Sequence, residues 1–243
     1  MTTRIRADQL LVSRGLFESR ARAQEAIEAG LVTADGVTVR KSAQMLPATA
    51  ELTAEPAHPY VSRGGVKLAA ALAHFGIDPA GKVCLDLGAS TGGFTDMLLR
   101  AGARRIYAVD VGTDQLHPSL RARREIVRLE NIDARALDRA LLPDPVELIT
   151  VDVSFISLKL ILPVTAALAA ASAELVVLIK PQFEAGRARV RKGVVRDAAV
   201  HDAVCRDIAA SAAALGWNVL GVIASPITGG DGNREFLLGA SRR

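Results

Sequence analysis

A glycine-rich turn that directly follows an apolar strand constrains the fold of this chain more than any other feature. The strand 83–87 leads into Gly88-Ala89-Ser90-Thr91-Gly92-Gly93, and a second apolar strand is followed by Asp110. Glycines let backbone N–H groups approach a ligand, and a carboxylate about twenty residues further on can bind ribose hydroxyls. The spacing G-x-x-x-G-G departs from the dinucleotide pattern G-x-G-x-x-G, so we predict S-adenosylmethionine rather than NAD. The same glycines would also suit a tight strand-to-helix turn that binds nothing.

Apolar strands and helical segments alternate through the rest of the chain. The predicted strands are 83–87, 105–109, 126–129, 148–151, 175–179, 219–224 and 236–239. This alternation is typical of an α/β fold with a doubly wound, mostly parallel sheet, and we expect the last strand to run antiparallel. Residues 160–179 approach the length of a membrane span, but Pro163 and Glu174 interrupt them. We predict an Ala-rich helix over 165–171 there, followed by a buried strand.

The charge balance favours a polyanionic partner. The net charge is +4 and the chain contains six Phe, two Tyr and one Trp, too few for an extended base-stacking platform, so a nucleic acid would be held mainly by charge and shape. Two cysteines cannot form a disulfide framework, and residues 1–6 do not resemble a secretion signal, which together predict a cytoplasmic protein. The four histidines are not spaced as metal ligands, so no metal is predicted.

The first 57 residues predict a small α+β domain. Ser19 is a plausible N-cap and Gly30 a plausible terminator of one helix, and Asp35-Gly36 predicts a two-residue hairpin turn. Residues 47–61 contain three prolines and weak periodicity, as expected for a connecting segment. We therefore predict domains at 1–57 and 63–243, joined by a linker at 58–62.

The first domain resembles the alpha-L RNA-binding module of a small-subunit ribosomal protein, over roughly residues 4–55. The matching positions run from Arg6-Ala7-Asp8-Gln9-Leu10-Leu11-Val12 to Gly30, Val32 and Asp35-Gly36. The resemblance implies phosphate contacts by Arg4, Arg6, Arg14, Arg20, Arg22 and Lys41. Residues 1–60 hold seven basic and seven acidic side chains, so RNA binding would depend on one basic face. A solvated surface is the alternative role for these arginines.

Charged residues stand at the expected carboxyl ends of the strands, where ligands bind in open α/β sheets. Asp152 and Lys180 each follow a strand, Glu235 precedes the last strand, and Lys67 lies near the start of the first helix. Singly, each could be a solvated edge residue. Their order resembles the Lys-Asp-Lys-Glu tetrad of FtsJ-like ribose 2′-O-methyltransferases. The strings 61–65, 151–158 and 180–184 are similar, more narrowly, to the TlyA family of ribosomal RNA methyltransferases.

The resemblance implies methyl transfer from S-adenosylmethionine to a cytidine ribose of 16S or 23S ribosomal RNA, or both. A ribose hydroxyl is a poor nucleophile, so a base must take its proton, and Lys180 is the candidate. We expect Gly88–Gly93 to hold the methionine end of the cofactor, Asp110 the ribose and Asp133 the adenine, with Asp86 orienting the glycine turn. The predicted phosphate contacts of this domain are Arg63, Arg187, Arg189, Arg191 and Lys192. We expect a monomer that acts on ribosomal RNA or ribosomal subunits.

Three other functions remain open at this point. A base methyltransferase is disfavoured, because Asp152-Val153-Ser154-Phe155 is unlike the Asn-Pro-Pro-Tyr motif of adenine N6 enzymes and neither cysteine follows a proline. A non-catalytic RNA-binding or ribosome-assembly factor would bind RNA equally well without transferring methyl groups. A membrane-active haemolysin, a label that TlyA-like proteins often carry, would need a membrane-seeking segment.

Overall fold

The computed structural model describes residues 3–243, including every side chain in that range except that of Arg187. The chain divides into two compact units, Met1–Pro59 and Tyr60–Arg243. The division lies within the predicted linker, and the predicted domain bounds themselves stay a prediction.

The first unit packs two helices against short antiparallel strands. Its described elements are β1 (Arg4–Arg6), α1 (Ala7–Ser13), α2 (Arg20–Glu28), β2 (Val32–Ala34), β3 (Val37–Thr38), β4 (Met45–Pro47) and β5 (Leu52–Ala54). Strand β1 pairs with β4, and β2 lies between β3 and β5. The Ser19 hydroxyl accepts a hydrogen bond from the backbone N–H of Arg22, so the predicted N-cap is present. Buried Leu10, Leu11 and Ile27 form the centre of the core.

Strand β5 and the last residue of β4 lie in the segment 47–61 that the sequence predicted to be a connection. Strand β4 pairs with β1 and β5 pairs with β2, in both cases with partners far away in the sequence. Each strand has only three residues, too few for alternation of apolar and polar residues to be recognised. The prediction that residues 47–61 form an irregular connection is therefore wrong for the first half of this segment, which contains β5.

The second unit contains one seven-stranded sheet with helices on both faces. The strands are β6 (Val83–Leu87), β7 (Arg105–Asp110), β8 (Ile126–Glu130), β9 (Val146–Val151), β10 (Ala169–Ile179), β11 (Asn218–Ala224) and β12 (Phe236–Arg242). The helices are α3 (Gly64–Phe75), α4 (Gly93–Arg100), α5 (Pro118–Arg121), α6 (Leu162–Leu168), α7 (Pro181–Glu184) and α8 (Ala198–Ala214).

The strand order is β11-β12-β10-β9-β6-β7-β8. Strands β10, β9, β6, β7 and β8 pair in parallel, whereas β12 runs antiparallel to both of its neighbours. The predicted fold class, a mostly parallel α/β sheet whose last strand is antiparallel, is confirmed. Because the carboxyl ends of the parallel strands lie at one edge, side chains that follow them meet there.

The central strands are apolar on both faces because helices cover both sides of the sheet. In β6, Val83, Leu85 and Leu87 pack into one apolar layer, while Cys84 packs into the layer on the opposite face. The predicted helix over 165–171 is wrong at its end: α6 stops at Leu168, and Ala169 already pairs with Val146 of β9. Alanine favours helices locally, and here strand pairing overrides that preference. In the described part of the chain, the helices are too short or too polar to cross a bilayer.

Candidate active site

The glycine turn after β6 adopts a backbone conformation that requires glycine at its first position. Gly88 has φ +84°, and a Cβ atom placed on it would lie 2.4 Å from the carbonyl oxygen of Asp152. Both the left-handed conformation and the close approach exclude a side chain at this position. The turn is thereby packed directly against the end of β9, which carries Asp152.

Asp110 holds the turn against the neighbouring strand. One of its carboxylate oxygens accepts the backbone N–H of Ser90 at 2.7 Å, and the other accepts that of Gly112, also at 2.7 Å. Each oxygen keeps a further lone pair, so the carboxylate can also accept ribose hydroxyls.

A cavity of about 800 Å³ opens beside this turn. Four of the predicted cofactor residues line it: Gly88, Ser90, Asp110 and Asp133. Asp152 lines it as well, and Val109, Ile132 and Leu160 supply apolar walls. Apolar walls with a few carboxylates suit an adenosine group that carries ribose hydroxyls, and the volume lies within the range of small-molecule sites. The residues present therefore fit S-adenosylmethionine.

The other predicted cofactor residues do not reach the cavity. Ala89, Thr91, Gly92 and Gly93 belong to the turn but are not part of the cavity wall. Asp86 is fully buried, and its carboxylate accepts hydrogen bonds from the hydroxyls of Thr95 and Thr150, at 2.6 and 2.9 Å. Burial raises the pKa of Asp86 to about 7, against the opposing effect of these two hydrogen bonds. Asp86 was predicted to orient the glycine turn; its hydrogen bonds tie β6 to α4 and β9 beneath the turn.

Asp133 lies in the cavity wall beside an arginine. Its carboxylate pairs with the guanidinium of Arg135 at 2.5 Å and also accepts the backbone N–H of Arg135. The hydrogen bond from the Arg135 side chain lowers the pKa of Asp133 to about 2. The group is therefore a permanent carboxylate that can accept from an exocyclic amine.

The four charged residues of the predicted tetrad form two ion pairs. Lys180 Nζ lies 2.6 Å from Asp152 Oδ1 and donates to the Ser154 hydroxyl at 2.9 Å. Lys67 Nζ lies 2.5 Å from Glu235 Oε2, and this second pair is buried, with 9 % of Lys67 and 4 % of Glu235 exposed.

The sheet register brings the two pairs to the same edge. Ile179 of β10 is opposite Phe236 of β12, so continuing the register by one residue sets Lys180 beside Glu235. Strand β9 is the parallel neighbour on the opposite side of β10 from β12, and Asp152, which follows β9, contacts Lys180. The residues brought together are therefore Lys67, Asp152, Lys180 and Glu235.

Local packing fixes the members of the buried pair. The backbone N–H of Val61 donates to the carboxylate of Asp96 at 2.9 Å, which anchors the segment leading into α3 and hence Lys67. On the other side, Gly229 lies so close to Glu235 that a Cβ atom there would be 2.0 Å from Oε1. The glycine in this turn lets the backbone cover the Glu235 carboxylate.

Two residues at the site were not identified from the sequence. Phe155 lines the cavity, is 91 % exposed, and has φ +64°, a strained value for a side chain of this size. Its ring contacts that of Phe183 at a centroid distance of 5.0 Å. Glu184 accepts the Ser157 hydroxyl at 2.6 Å and the Leu158 N–H at 2.8 Å, and so joins α7 to the cavity wall.

The predicted RNA contacts of the first unit fall into two groups. Arg6 and Arg20 both bind the fully buried Asp8, which also accepts from Gln24. The hydrogen bond from Arg6, supported by those from Arg20 and Gln24, holds the pKa of Asp8 well below its usual range.

The other predicted contacts of the first unit are less constrained by carboxylates. Arg22 is half-buried and contacts His58 and Glu25. Arg4 and Arg14 donate to the backbone carbonyls of Met45 and Ala48, and their side chains are exposed, as is that of Lys41.

The predicted RNA contacts of the second unit are exposed. Arg63 lies immediately before α3, and Arg189, Arg191 and Lys192 lie in the segment between α7 and α8. The side chain of Arg187 lies outside the described residues. Among the residues described, no three His, Cys, Asp or Glu side chains are grouped as metal ligands.

The sheet, the glycine turn and the carboxylates around the cavity define the class of protein. A mostly parallel sheet with an antiparallel last strand, and a cavity of about 800 Å³ at the carboxyl ends of its strands, is the arrangement of the S-adenosylmethionine-dependent methyltransferases. S-adenosylmethionine is the cofactor of this class, and the chain is an enzyme.

Comparison with known proteins identifies the family within this class. Residues 60–242 match the FtsJ-like methyltransferase family and residues 5–52 match the S4 domain. The chain is 44 % identical over 241 residues to the 16S/23S rRNA (cytidine-2′-O)-methyltransferase TlyA of Mycobacterium tuberculosis, covering 98 % of this chain and 90 % of that protein. It is 46 % identical to the putative rRNA methyltransferase YqxC of Bacillus subtilis over 237 residues, covering 96 % and 84 %.

A solved structure has the same architecture. The putative hemolysin from Streptococcus thermophilus has a TM-score of 0.78 and 39 % sequence identity, covering 100 % of this chain and 90 % of that one. The chain belongs to the TlyA family of FtsJ-like methyltransferases, whose members carry an N-terminal S4 domain.

Proposed function

We propose that this protein transfers the methyl group of S-adenosylmethionine to the ribose 2′-hydroxyl of a cytidine in 16S or 23S ribosomal RNA, or in both. The observation that carries the proposal is the Lys180–Asp152 ion pair at the edge of the cavity, with the buried Lys67–Glu235 pair beside it. The relatives named as cytidine-2′-O-methyltransferases support the choice of nucleoside.

Residues of the cavity would hold the cofactor. Gly88 and Ser90 present turn backbone, Asp110 can accept ribose hydroxyls, and Asp133 can accept from the adenine amine. When bound, the cofactor supplies a methyl group activated by a positively charged sulfur. The carboxylates of this chain, Asp152 above all, offset that charge.

Lys180 is suited to take the proton of the 2′-hydroxyl. Its Nζ atom is held by Asp152 and Ser154 at 2.6 and 2.9 Å, so the amine has a fixed position at the cavity edge. To act as the base, Lys180 must present an uncharged amine to the hydroxyl. Glu235 balances Lys67 and holds it in place. In the transfer, Lys180 would accept the proton that the hydroxyl loses, while the new oxygen–carbon bond forms and the sulfur–carbon bond of the cofactor breaks.

The RNA-binding surfaces follow from the basic and aromatic residues. The exposed ring of Phe155 at the cavity wall can stack on the base of the acceptor nucleotide. The contacts proposed for the S4 domain are Arg4, Arg6, Arg14, Arg20, Arg22 and Lys41, and those for the methyltransferase domain are Arg63, Arg187, Arg189, Arg191 and Lys192. In this proposal residues 1–57 bind RNA, 58–62 connect the domains, and the protein acts as a cytoplasmic monomer on ribosomal RNA or ribosomal subunits.

The test is methylation of purified ribosomal subunits with labelled cofactor, followed by mapping of 2′-O-methyl sites by primer extension at low nucleotide concentration. We expect Lys180→Ala to lower turnover by roughly 100-fold to 10,000-fold, the usual contribution of a general base, while cofactor binding measured by calorimetry is retained. Lys82→Ala is the matched control, because Lys82 pairs with Glu174 at the opposite end of β6.

Two results would overturn the proposal. Full turnover by the Lys180→Ala protein would remove this lysine from the chemistry. RNA binding by the wild-type protein without any transfer of label would instead favour a non-catalytic RNA-binding factor.

A further inference from the structure

A second cavity lies at the first turn of α8, apart from the cofactor cavity. Its volume is about 320 Å³, and its wall is basic. The charged residues that line it are Arg189, Arg191, Arg196 and Asp197, and the remaining wall is formed by Ala188, Val194 and Val200. Three guanidinium groups therefore face one carboxylate, which gives the cavity a positive charge.

The three guanidinium groups are available to a ligand. Within the described part of the chain, the side chains of Arg189, Arg191 and Arg196 make no hydrogen bond or ion pair, whereas Arg6, Arg20 and Arg135 each bind a carboxylate.

Asp197 does not neutralise this cluster by pairing with it. Its carboxylate accepts the backbone N–H of Ala199 at 2.8 Å and so caps the 17-residue helix α8. The positive end of the α8 dipole adds to the attraction for an anion at the same place.

Hydrogen bonds fix the chain between the arginines. The side-chain oxygen of Asn233 accepts the Val195 N–H at 3.4 Å, and its amide nitrogen donates to the carbonyls of Gly193 and Gly230, at 3.0 and 3.1 Å. His201 Nε2 donates to the Val195 carbonyl at 3.0 Å. Asn233 is 3 % exposed and lies two residues before Glu235. The basic cavity is thus tied to the turn that leads into the tetrad.

We propose that Arg189, Arg191 and Arg196 form a phosphate-binding site for a backbone phosphodiester of the RNA strand that enters the active site. Guanidinium groups match phosphate oxygens in geometry and charge, and an anchored cavity binds the phosphate at a fixed position relative to Glu235. The inference rests on the proposed function and adds Arg196, which belongs to no motif in the sequence. The occupant is a phosphodiester of RNA, and free phosphate shares its chemistry.

The experiment measures how the affinity for a fluorescently labelled single-stranded RNA depends on salt. Each lost phosphate contact reduces the magnitude of the slope of log K against log salt concentration by roughly 0.7. The ratio of the Arg196→Gln Kd to the wild-type Kd should therefore be about fivefold larger at 0.1 M salt than at 1 M salt. Arg189→Gln should act similarly. The control is Arg206→Gln, which removes an exposed arginine of α8 outside the cavity. Equal slopes for the Arg196 and Arg206 variants would overturn the proposal.

Two further measurements separate the outcomes. Inorganic phosphate should compete with RNA only at concentrations far above those of RNA phosphates; if phosphate alone binds the wild-type protein tightly and the Arg196 variant weakly, the site is for a free anion and the RNA assignment is wrong. Methyl transfer by the wild-type protein is recorded in parallel. Absence of transfer contradicts the proposed function, whereas an unchanged salt slope contradicts only the phosphate site.

Discussion

Replacing Gly88 with alanine should destabilise the methyltransferase unit and impair turnover together. Gly88 has φ +84°, and an L-residue in the left-handed region costs about 1 to 2 kcal/mol. The new Cβ atom would lie 2.4 Å from the Asp152 carbonyl oxygen. Because the new Cβ atom meets a backbone oxygen, which cannot rotate away as a side chain could, the chain must shift. Overpacking of this kind typically costs about 1 to 3 kcal/mol. We therefore expect a loss of about 2 to 5 kcal/mol in the free energy of unfolding.

Gly81→Ala provides a matched control. Gly81 has φ +73°, and a Cβ atom there meets nothing within 4 Å. This variant carries the backbone strain without the contact, so its expected loss is only about 1 to 2 kcal/mol. The difference between the two variants measures the contact between the glycine turn and the end of β9.

Urea unfolding followed by tryptophan fluorescence is the assay. Trp217 is the single tryptophan of the chain, is 2 % exposed, and lies in the second unit, so its emission reports on that unit alone. Turnover of the Gly88 variant should fall as well, since the displaced backbone carries the Asp152 side chain that pairs with Lys180. Equal destabilisation by the two alanines, with unchanged turnover, would refute the reasoning.

Two further predictions concern Asp86 and Phe155. Burial raises the folded-state pKa of Asp86 to about 7, above the unfolded value of about 4. The protonated carboxyl therefore contributes to the free energy of unfolding at low pH, and this contribution is lost as pH rises from about 4 to about 7. Between pH 5 and 8 this amounts to about 2 to 3 kcal/mol. Asp86→Asn should abolish that part of the decline measured by urea unfolding, and parallel pH curves for the two proteins would contradict the assignment. Phe155→Ala should raise the KM for RNA roughly fivefold to 150-fold, the equivalent of about 1 to 3 kcal/mol of stacking, with cofactor affinity unchanged in calorimetry. An unchanged KM would contradict the stacking role.

Much of the second unit could be predicted because its signals are local. Apolar runs such as 83–87 and 175–179 mark buried strands, and Asp110, Asp152 and Lys180 follow strands, so parallel pairing places them at one edge. The partners within the tetrad could not be predicted. Which lysine contacts which carboxylate depends on the register between β10 and β12, and on the position of α3.

Elsewhere, non-local pairing decided the outcome. Strands β4 and β5 exist because β1 and β2 offer them edges, and nothing in their own three-residue sequences requires a strand. Asp86 could not be distinguished from a ligand-binding carboxylate, since its hydroxyl partners, Thr95 and Thr150, come from two separate elements. The buried Asp8 and its arginine partners show the same difficulty in the first unit.

The carboxylate of Glu184 has a consequence for inhibition. Helix α7 starts immediately after Lys180 and ends at Glu184, whose side chain holds Ser157 and Leu158 next to the cavity residue Leu160. The same short helix therefore connects the cavity wall to Lys180 at its edge. A small compound that displaces this wall would shift Lys180 Nζ away from Asp152 and Ser154. Such a compound would inhibit the enzyme without binding at the position of the reacting atoms.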